Sequence, residues 1–193
     1  MPRLLLLLLL PVVAAVPAFA APFAYITNDD ATVSVIDVPA GAVVATIDVG
    51  AASCTHPRGV AVSPSGLQVY VSCIGGTSQL AVIDTVTNAV KTWIPMAGVG
   101  YGSAPTPDGK WLLVALPDVN KVAVIDLATM KVARNIDVAA YPQAIAVNPD
   151  GKTAYASCMH ADKVAEMDLA SGKTTREFAT GKQTDGLAWA PGR

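Results

Sequence analysis

The sequence predicts an all-β chain made of four copies of one four-stranded unit, and three series of repeated residues predict it. The first series is Val35-Ile36-Asp37, Val82-Ile83-Asp84, Val124-Ile125-Asp126 and the degenerate Glu166-Met167-Asp168, with aspartates 47, 42 and 42 residues apart. The second is Pro64-Ser65-Gly66, Pro107-Asp108-Gly109, Pro149-Asp150-Gly151 and Pro191-Gly192, with prolines 43, 42 and 42 apart. The third is Tyr25-Ile26-Thr27-Asn28, Tyr70-Val71-Ser72-Cys73, Leu113-Val114-Ala115-Leu116 and Tyr155-Ala156-Ser157-Cys158. Three independent series keep one period, and about 42 residues is the length of a propeller blade. The composition agrees: 15 Gly and 14 Pro in a chain that is 52% hydrophobic and 15% charged suit many short strands and turns.

The first twenty residues stand outside the repeats. Arg3 precedes an unbroken run from Leu4 to Leu10, and an Ala/Val/Pro stretch leads to Ala18-Phe19-Ala20. A short positive region, an apolar core and an A-x-A site are the layout of a secretory signal peptide. A membrane anchor is the competing reading, but Pro11 and Pro17 interrupt the apolar run. Residues 1–20 are therefore expected to be cleaved, leaving a propeller domain over residues 21–193 in the periplasm or outside the cell. No later segment is apolar for long enough to span a bilayer.

Each period then reads as four antiparallel strands. In the second, Arg58–Ser63 alternates up to the Pro64-Ser65-Gly66 turn, Gln68–Cys73 returns, Leu80–Asp84 descends and Val90–Ile94 comes back. Proline fixes φ early in the turn and glycine accepts φ > 0 at its end. Helical 3.6-residue periodicity is absent beyond the leader.

The strings Val33-Ser34-Val35-Ile36-Asp37, Thr46-Ile47-Asp48-Val49-Gly50 and Pro57-Arg58-Gly59-Val60-Ala61-Val62-Ser63-Pro64 resemble the YVTN family of β-propeller repeats. The resemblance covers essentially all of residues 21–193. It implies a propeller fold, and it implies little about function, since that family spans surface-layer, periplasmic and redox-associated proteins. Its propellers carry more blades than the four repeats here.

The phase of the repeats matters for that difference. Residues Phe23–Asn28 match the second strand of a blade, and Asp185–Pro191 match the first, innermost strand of the next. The last strand can thus complete the first blade and remove an open sheet edge. Three arrangements follow: a ring of four blades closed by pairing of N- and C-terminal strands, part of a larger propeller, or a homodimer forming one eight-bladed ring.

The side chains that carry chemistry gather at one face. Cys54 and His56 enter the second blade, Cys73 ends its second strand, and Cys158, Met159 and His160 end the second strand of the fourth. An oxidising compartment favours a Cys54–Cys73 disulfide. Simple pairing about the Pro64 turn leaves Cys54 about four residues beyond the partner of Cys73. That is ~13 Å at about 3.3 Å per residue, and a disulfide needs Cα atoms within about 7 Å. The loop must then curl back, which Pro57 permits. Alternatively Cys54, His56, Cys73, Cys158 and His160 contribute to a copper or zinc site. In the plainest reading Cys73 and Cys158 are small core side chains at equivalent repeat positions.

The channel mouth offers a second set. Six residues before each repeat proline stand Arg58, Tyr101, Gln143 and Asp185, a cation, a phenol, an amide and a carboxylate suited to a polar ligand. A merely solvated rim competes with that reading. Asp37, Asp84, Asp126 and Asp168 end strands before turns and are expected to cap them rather than form a carboxylate ring. Trp93, Trp111 and Trp189 are expected to pack between blades.

Several classes are excluded. The formal charge of −2 argues against nucleic acid held by bulk charge. No C-x-x-C-H haem site, Gly-rich phosphate loop or G-x-S-x-G elbow occurs, and Glu166 and Glu177 show no acid–base partner in sequence. The expected function is an exported, non-enzymatic scaffold without a cofactor that binds a protein partner or small ligand at its top face. The alternative, which rests on the resemblance, is an accessory component of a periplasmic redox system beside quinone-cofactor or haem dehydrogenases.

Overall fold

The computed structural model describes residues 22–50 and 54–190. The expected leader lies outside the described residues. Among them, no helix is long and apolar enough to cross a membrane.

The protein is an all-β propeller arc of four antiparallel sheets in chain order. The first sheet holds β1 (Phe23–Asn28), β2 (Thr32–Asp37) and β3 (Ala42–Asp48). The second holds β4 (Cys54–Val62), β5 (Gln68–Gly76), β6 (Gln79–Asp84) and β7 (Ala89–Pro95). The third holds β8 (Ser103–Pro105), β9 (Trp111–Leu116), β10 (Lys121–Asp126) and β11 (Lys131–Asp137). The fourth holds β12 (Pro142–Val147), β13 (Thr153–Cys158), β14 (Lys163–Asp168) and β15 (Lys173–Ala179).

The repeated motifs are the parts that make the hairpins. In each Pro-x-Gly turn the glycine N–H donates back across the turn: Gly66 to Ser63 O at 2.8 Å, Gly109 to Thr106 O at 2.9 Å, Gly151 to Asn148 O at 2.8 Å. These glycines sit at φ 73, 68 and 68, which a Cβ disfavours. The aspartates of the first series cap the following turns. Asp37 Oδ1 accepts from Ala40 N at 3.0 Å, Asp84 Oδ1 from Val86 and Thr87 N, Asp126 Oδ1 from Ala128 N at 2.8 Å and Asp168 Oδ1 from Ser171 N at 2.7 Å. Hydrogen bonding from Thr87 and from Ser171 holds the Asp84 and Asp168 carboxyls below the usual range. A β-bulge falls just before the same aspartate in every sheet, at Val35/Ile36, Val82/Ile83, Val124/Ile125 and Glu166/Met167, and it adds local twist.

Period-two alternation sends each central strand's side chains to both neighbouring blades. Val69, Val71, Cys73, Ala81 and Ile83 pack with Val33, Val35 and Ile47 at the first seam. From the opposite face of the same strands, Tyr70, Leu80 and Val82 pack with Leu112, Val114 and Leu116 at the second. Leu113, Val122 and Val124 meet Ala154, Ala156 and Met167 at the third. Trp93 packs on the first seam and Trp111 on the third, with the Arg134 guanidinium 5.4 Å above the Trp111 ring.

The two outward faces of the arc break this apolar pattern. On the first sheet, Asn28 and Ser34 stand where the second sheet has Cys73 and Ala81, and Asn28 Nδ2 donates to Ser34 Oγ at 2.8 Å. On the fourth, Glu166 replaces the repeat valine and is only 6% exposed. It has partners that the sequence did not disclose: Arg176 Nη2 at 2.5 Å and Nε at 3.0 Å, Thr175 Oγ1 at 3.0 Å and Tyr155 OH at 3.1 Å. Glu177 likewise pairs with Lys163 at 2.6 Å.

The Arg176 hydrogen bond, with those from Thr175 and Tyr155, holds the Glu166 carboxyl below the usual glutamate range. A carboxyl whose folded pKa lies below its unfolded one stabilises above the unfolded value and loses that contribution as pH falls through the folded value. The melting midpoint should therefore hold down to about pH 5 and decline below the ordinary glutamate value of about 4.3. Glu166→Gln should flatten part of that decline in melts run across the acid range. A parallel decline in parent and variant would remove Glu166 from the account.

The strand expected over Asp185–Pro191 does not form as a closing strand. Among the described residues, 184–190 contain no strand, and β1 pairs only with β2. The contacts this segment makes explain why. Asp162 Oδ1 accepts from Gln183 N at 2.7 Å, and the Trp189 ring stacks on Tyr155 with centroids 5.7 Å apart. The segment is thus held on the outward face of the fourth sheet, whereas the first sheet packs on the second.

Candidate functional site

The inner strands of successive blades are locked together at the positions expected to form the channel mouth. Thr27 Oγ1 donates to Arg58 O at 3.3 Å across the first seam. Ser72, at the same repeat position, accepts from Gly59 N at 3.1 Å and donates to Tyr101 O of the third blade. Ala115 has no hydroxyl, and there Gly102 N donates directly to Gln143 O at 3.0 Å. Ser157 accepts from Ala144 N at 2.9 Å. The carbonyls of Arg58, Tyr101 and Gln143 are each held by the preceding blade, which fixes the backbone that carries their side chains.

These three residues therefore stand at one repeat position on consecutive blades. Arg58 is exposed, Tyr101 half-buried and Gln143 7% exposed. The Gln143 amide oxygen is buried without a hydrogen-bond partner, as is the neighbouring Ser103 hydroxyl. Buried polar atoms are normally paired; among the described residues Asn88 Oδ1 and Arg134 Nε are the other buried side-chain atoms without a partner. Asp185 is exposed in the irregular segment and joins no sheet. The hollows of about 460 and 450 Å³ lie elsewhere, one beside Lys110, Trp111 and Leu127 and the other beside Phe23, Leu67 and Val86 near the Pro-x-Gly turns.

Cys54 and Cys73 form a disulfide with Cα atoms 5.3 Å apart. Strand register alone sets Cys54 opposite Gly76 and Pro57 opposite Cys73, so the end of the hairpin must curl. Gly75 and Gly76, at φ 89 and 80, supply that bend. The bend thus falls in β5, while Pro57 stays in register opposite Cys73.

The five-residue metal set is corrected by the same bond. The Cys54 and Cys73 sulfurs are spent on each other and offer no thiolate. Cys158 lies two blades away, fully buried, with its thiol pushed up to about 11 by burial. His56 Nδ1 sits 3.1 Å from Thr55 Oγ1, and His160 stacks on Tyr141 at 4.1 Å. Among the described residues no three His, Cys, Asp or Glu side chains gather to hold a metal ion.

No protein-family model and no curated protein sequence matches the chain. Among solved structures, the chain is similar to hydrazine synthase of Kuenenia stuttgartiensis, at 26% sequence identity and a TM-score of 0.72. The superposition covers 79% of this chain and 44% of that one, so this chain spans less than half of that protein's length. In all, 1331 solved chains match, which marks the architecture as a widely used scaffold from which no function follows.

Proposed function

We propose that the chain is an exported propeller scaffold of the YVTN kind, without catalytic chemistry of its own, that binds a small polar ligand at the inner wall. The observation that carries this reading is the polar set Arg58, Tyr101 and Gln143 on three consecutive blades whose backbone is pinned blade to blade. An amide oxygen accepts from an N–H or O–H, Arg58 attracts a carboxylate, and the Tyr101 phenol lies between them in the repeat order. Hydroxy acids and amino acids combine those groups. Export follows from the Arg3–Ala20 leader pattern.

The test is a thermal-shift panel of small hydroxy and amino acids, followed by titration of any that raise the midpoint. Arg58→Ala and Gln143→Leu should each weaken binding about 10-fold or more, the scale of a lost charge-assisted or buried hydrogen bond. Val86→Ser, on the opposite face, should leave binding unchanged. A panel without a shift, or binding that survives both inner-wall variants, would overturn the reading.

A second reading is favoured by one specific finding, the likeness to hydrazine synthase. It makes the propeller an accessory subunit of an exported redox assembly. Recovery of a stable complex with a haem or quinone-cofactor subunit, detected by native mass spectrometry, would select it.

A further inference from the structure

The two open flanks of the arc are the two halves of one blade seam. Residues 183–190 follow the fourth sheet as β12 follows the third. Asn120 Oδ1 accepts from Tyr141 N at 2.9 Å where the chain enters the fourth blade, and Asp162 Oδ1 accepts from Gln183 N at 2.7 Å one period later. Tyr141 and Gln183 share the left-handed conformation, at φ 60 and 55. The Val138 N bond to Asn120 O, 3.1 Å, is repeated by Thr180 N to Asp162 O, 3.0 Å. At the first seam Val62 and Tyr25 line the same groove, and Trp189 on Tyr155 is the same repeat pair. The segment therefore stands where the innermost strand of a fifth blade belongs, and among the described residues no strand pairs with it.

The first sheet presents the converse. Among the described residues it has three strands where the others have four, and its bare edge is β1, the counterpart of β5, β9 and β13, which the innermost strand covers in the other sheets. Ile26 and Trp189 are 46% and 44% exposed, so both halves of the seam carry an uncovered apolar side chain. An unpaired edge with apolar neighbours favours strand addition.

We propose that the chain closes its propeller as a head-to-tail homodimer, with residues 183–190 of each copy forming the innermost strand of the other copy's first sheet. Two four-blade arcs give eight blades, the upper end of the common range of about four to eight, and the two seams are related by a twofold axis along the channel. The register follows from the fourth sheet, where Ile145 opposes Ala156, Ala146 opposes Tyr155 and Val147 opposes Ala154. Moved by one repeat, Leu187 opposes the partner's Ile26, Ala188 its Tyr25 and Trp189 its Ala24. Asp185 then enters the partner's inner wall beside Arg58, which completes the four-residue mouth. The seam stands without any ligand at that mouth.

The experiment is light scattering on the purified full chain, combined with crosslinking of the Ile26→Cys/Leu187→Cys double variant. The parent should have twice the chain mass, and a variant lacking residues 184–193 should be a monomer. The double variant should give, after mild oxidation, a covalent species of twice the chain mass on a non-reducing gel, and neither single variant should. A crosslink formed within one chain, a monomeric parent, or a dimer that survives loss of residues 184–193 would each overturn the proposal.

Discussion

Replacing Cys54 and Cys73 together by alanine should lower the melting temperature by about 6–12 °C. The bond closes a loop with a sequence separation of 19 residues, and constraint of such a loop in the unfolded chain contributes about 3 kcal/mol. For a domain of this size each kcal/mol moves the midpoint by about 2–4 °C. Both cysteines are buried in the first seam, so the alanines also leave small voids and the loss should lie in the upper part of the range. Reductant added to the parent should reproduce most of the shift without the packing loss. The repeat supplies a counterpart: Ala139 stands to Cys158 as Cys54 stands to Cys73, and the Ala139 backbone N–H reaches the Cys158 thiol. Ala139→Cys should form a second bond and raise the oxidised midpoint by several degrees. If it stays reduced, the Gly75-Gly76 bend, absent from the fourth blade, is what makes the bond close. A loss of less than a degree or two in the double-alanine protein would show that the loop is not constrained in the way the chain-entropy argument requires.

The blades were legible because their determinants are local and repeated. Pro64, Gly66 and Asp84 act within four residues of their own positions, and one turn read correctly is read correctly in each repeat. The disulfide was harder to judge, because ladder register placed the two sulfurs too far apart. The correcting signal was the Gly75-Gly76 pair, whose left-handed backbone no side-chain pattern announces. Glu166 was visible as the one charge at a repeat position otherwise held by valine. Its partner Arg176, ten residues on, lies across a hairpin whose bulge shifts the register by one, so spacing alone did not pair them. Closure was the least legible property. Asp185–Trp189 alternates like every inner strand, but whether it finds an edge depends on how far four blades curve, which is set by the summed twist of the seams.

Gly59→Ala and Gly102→Ala should each cost about 3 kcal/mol, and the double variant should not give a cooperative melt. A Cβ on Gly59 would lie 1.9 Å from Tyr101 O and 2.5 Å from Ser72 Oγ, and one on Gly102 would lie 2.3 Å from Gln143 O. The obstructing atoms are backbone carbonyls of the next blade's inner strand, which cannot rotate away as a side chain would. Relief requires the seam to widen, which forfeits the Ser72 bond to Tyr101 O or the Gly102 bond to Gln143 O. Overpacking and a broken buried hydrogen bond each cost about 1–3 kcal/mol, and a widened seam also loosens the apolar contacts behind it. The repeat contains its own control, because Ala144 occupies the equivalent position in the fourth blade, before the segment that has no strand. Ala144→Gly should shift the midpoint by only a degree or two. Thermal melts of the three single variants, followed by circular dichroism, decide the matter. Tolerance of alanine at both Gly59 and Gly102 would mean that the inner strands are not held at the close spacing on which the mouth depends.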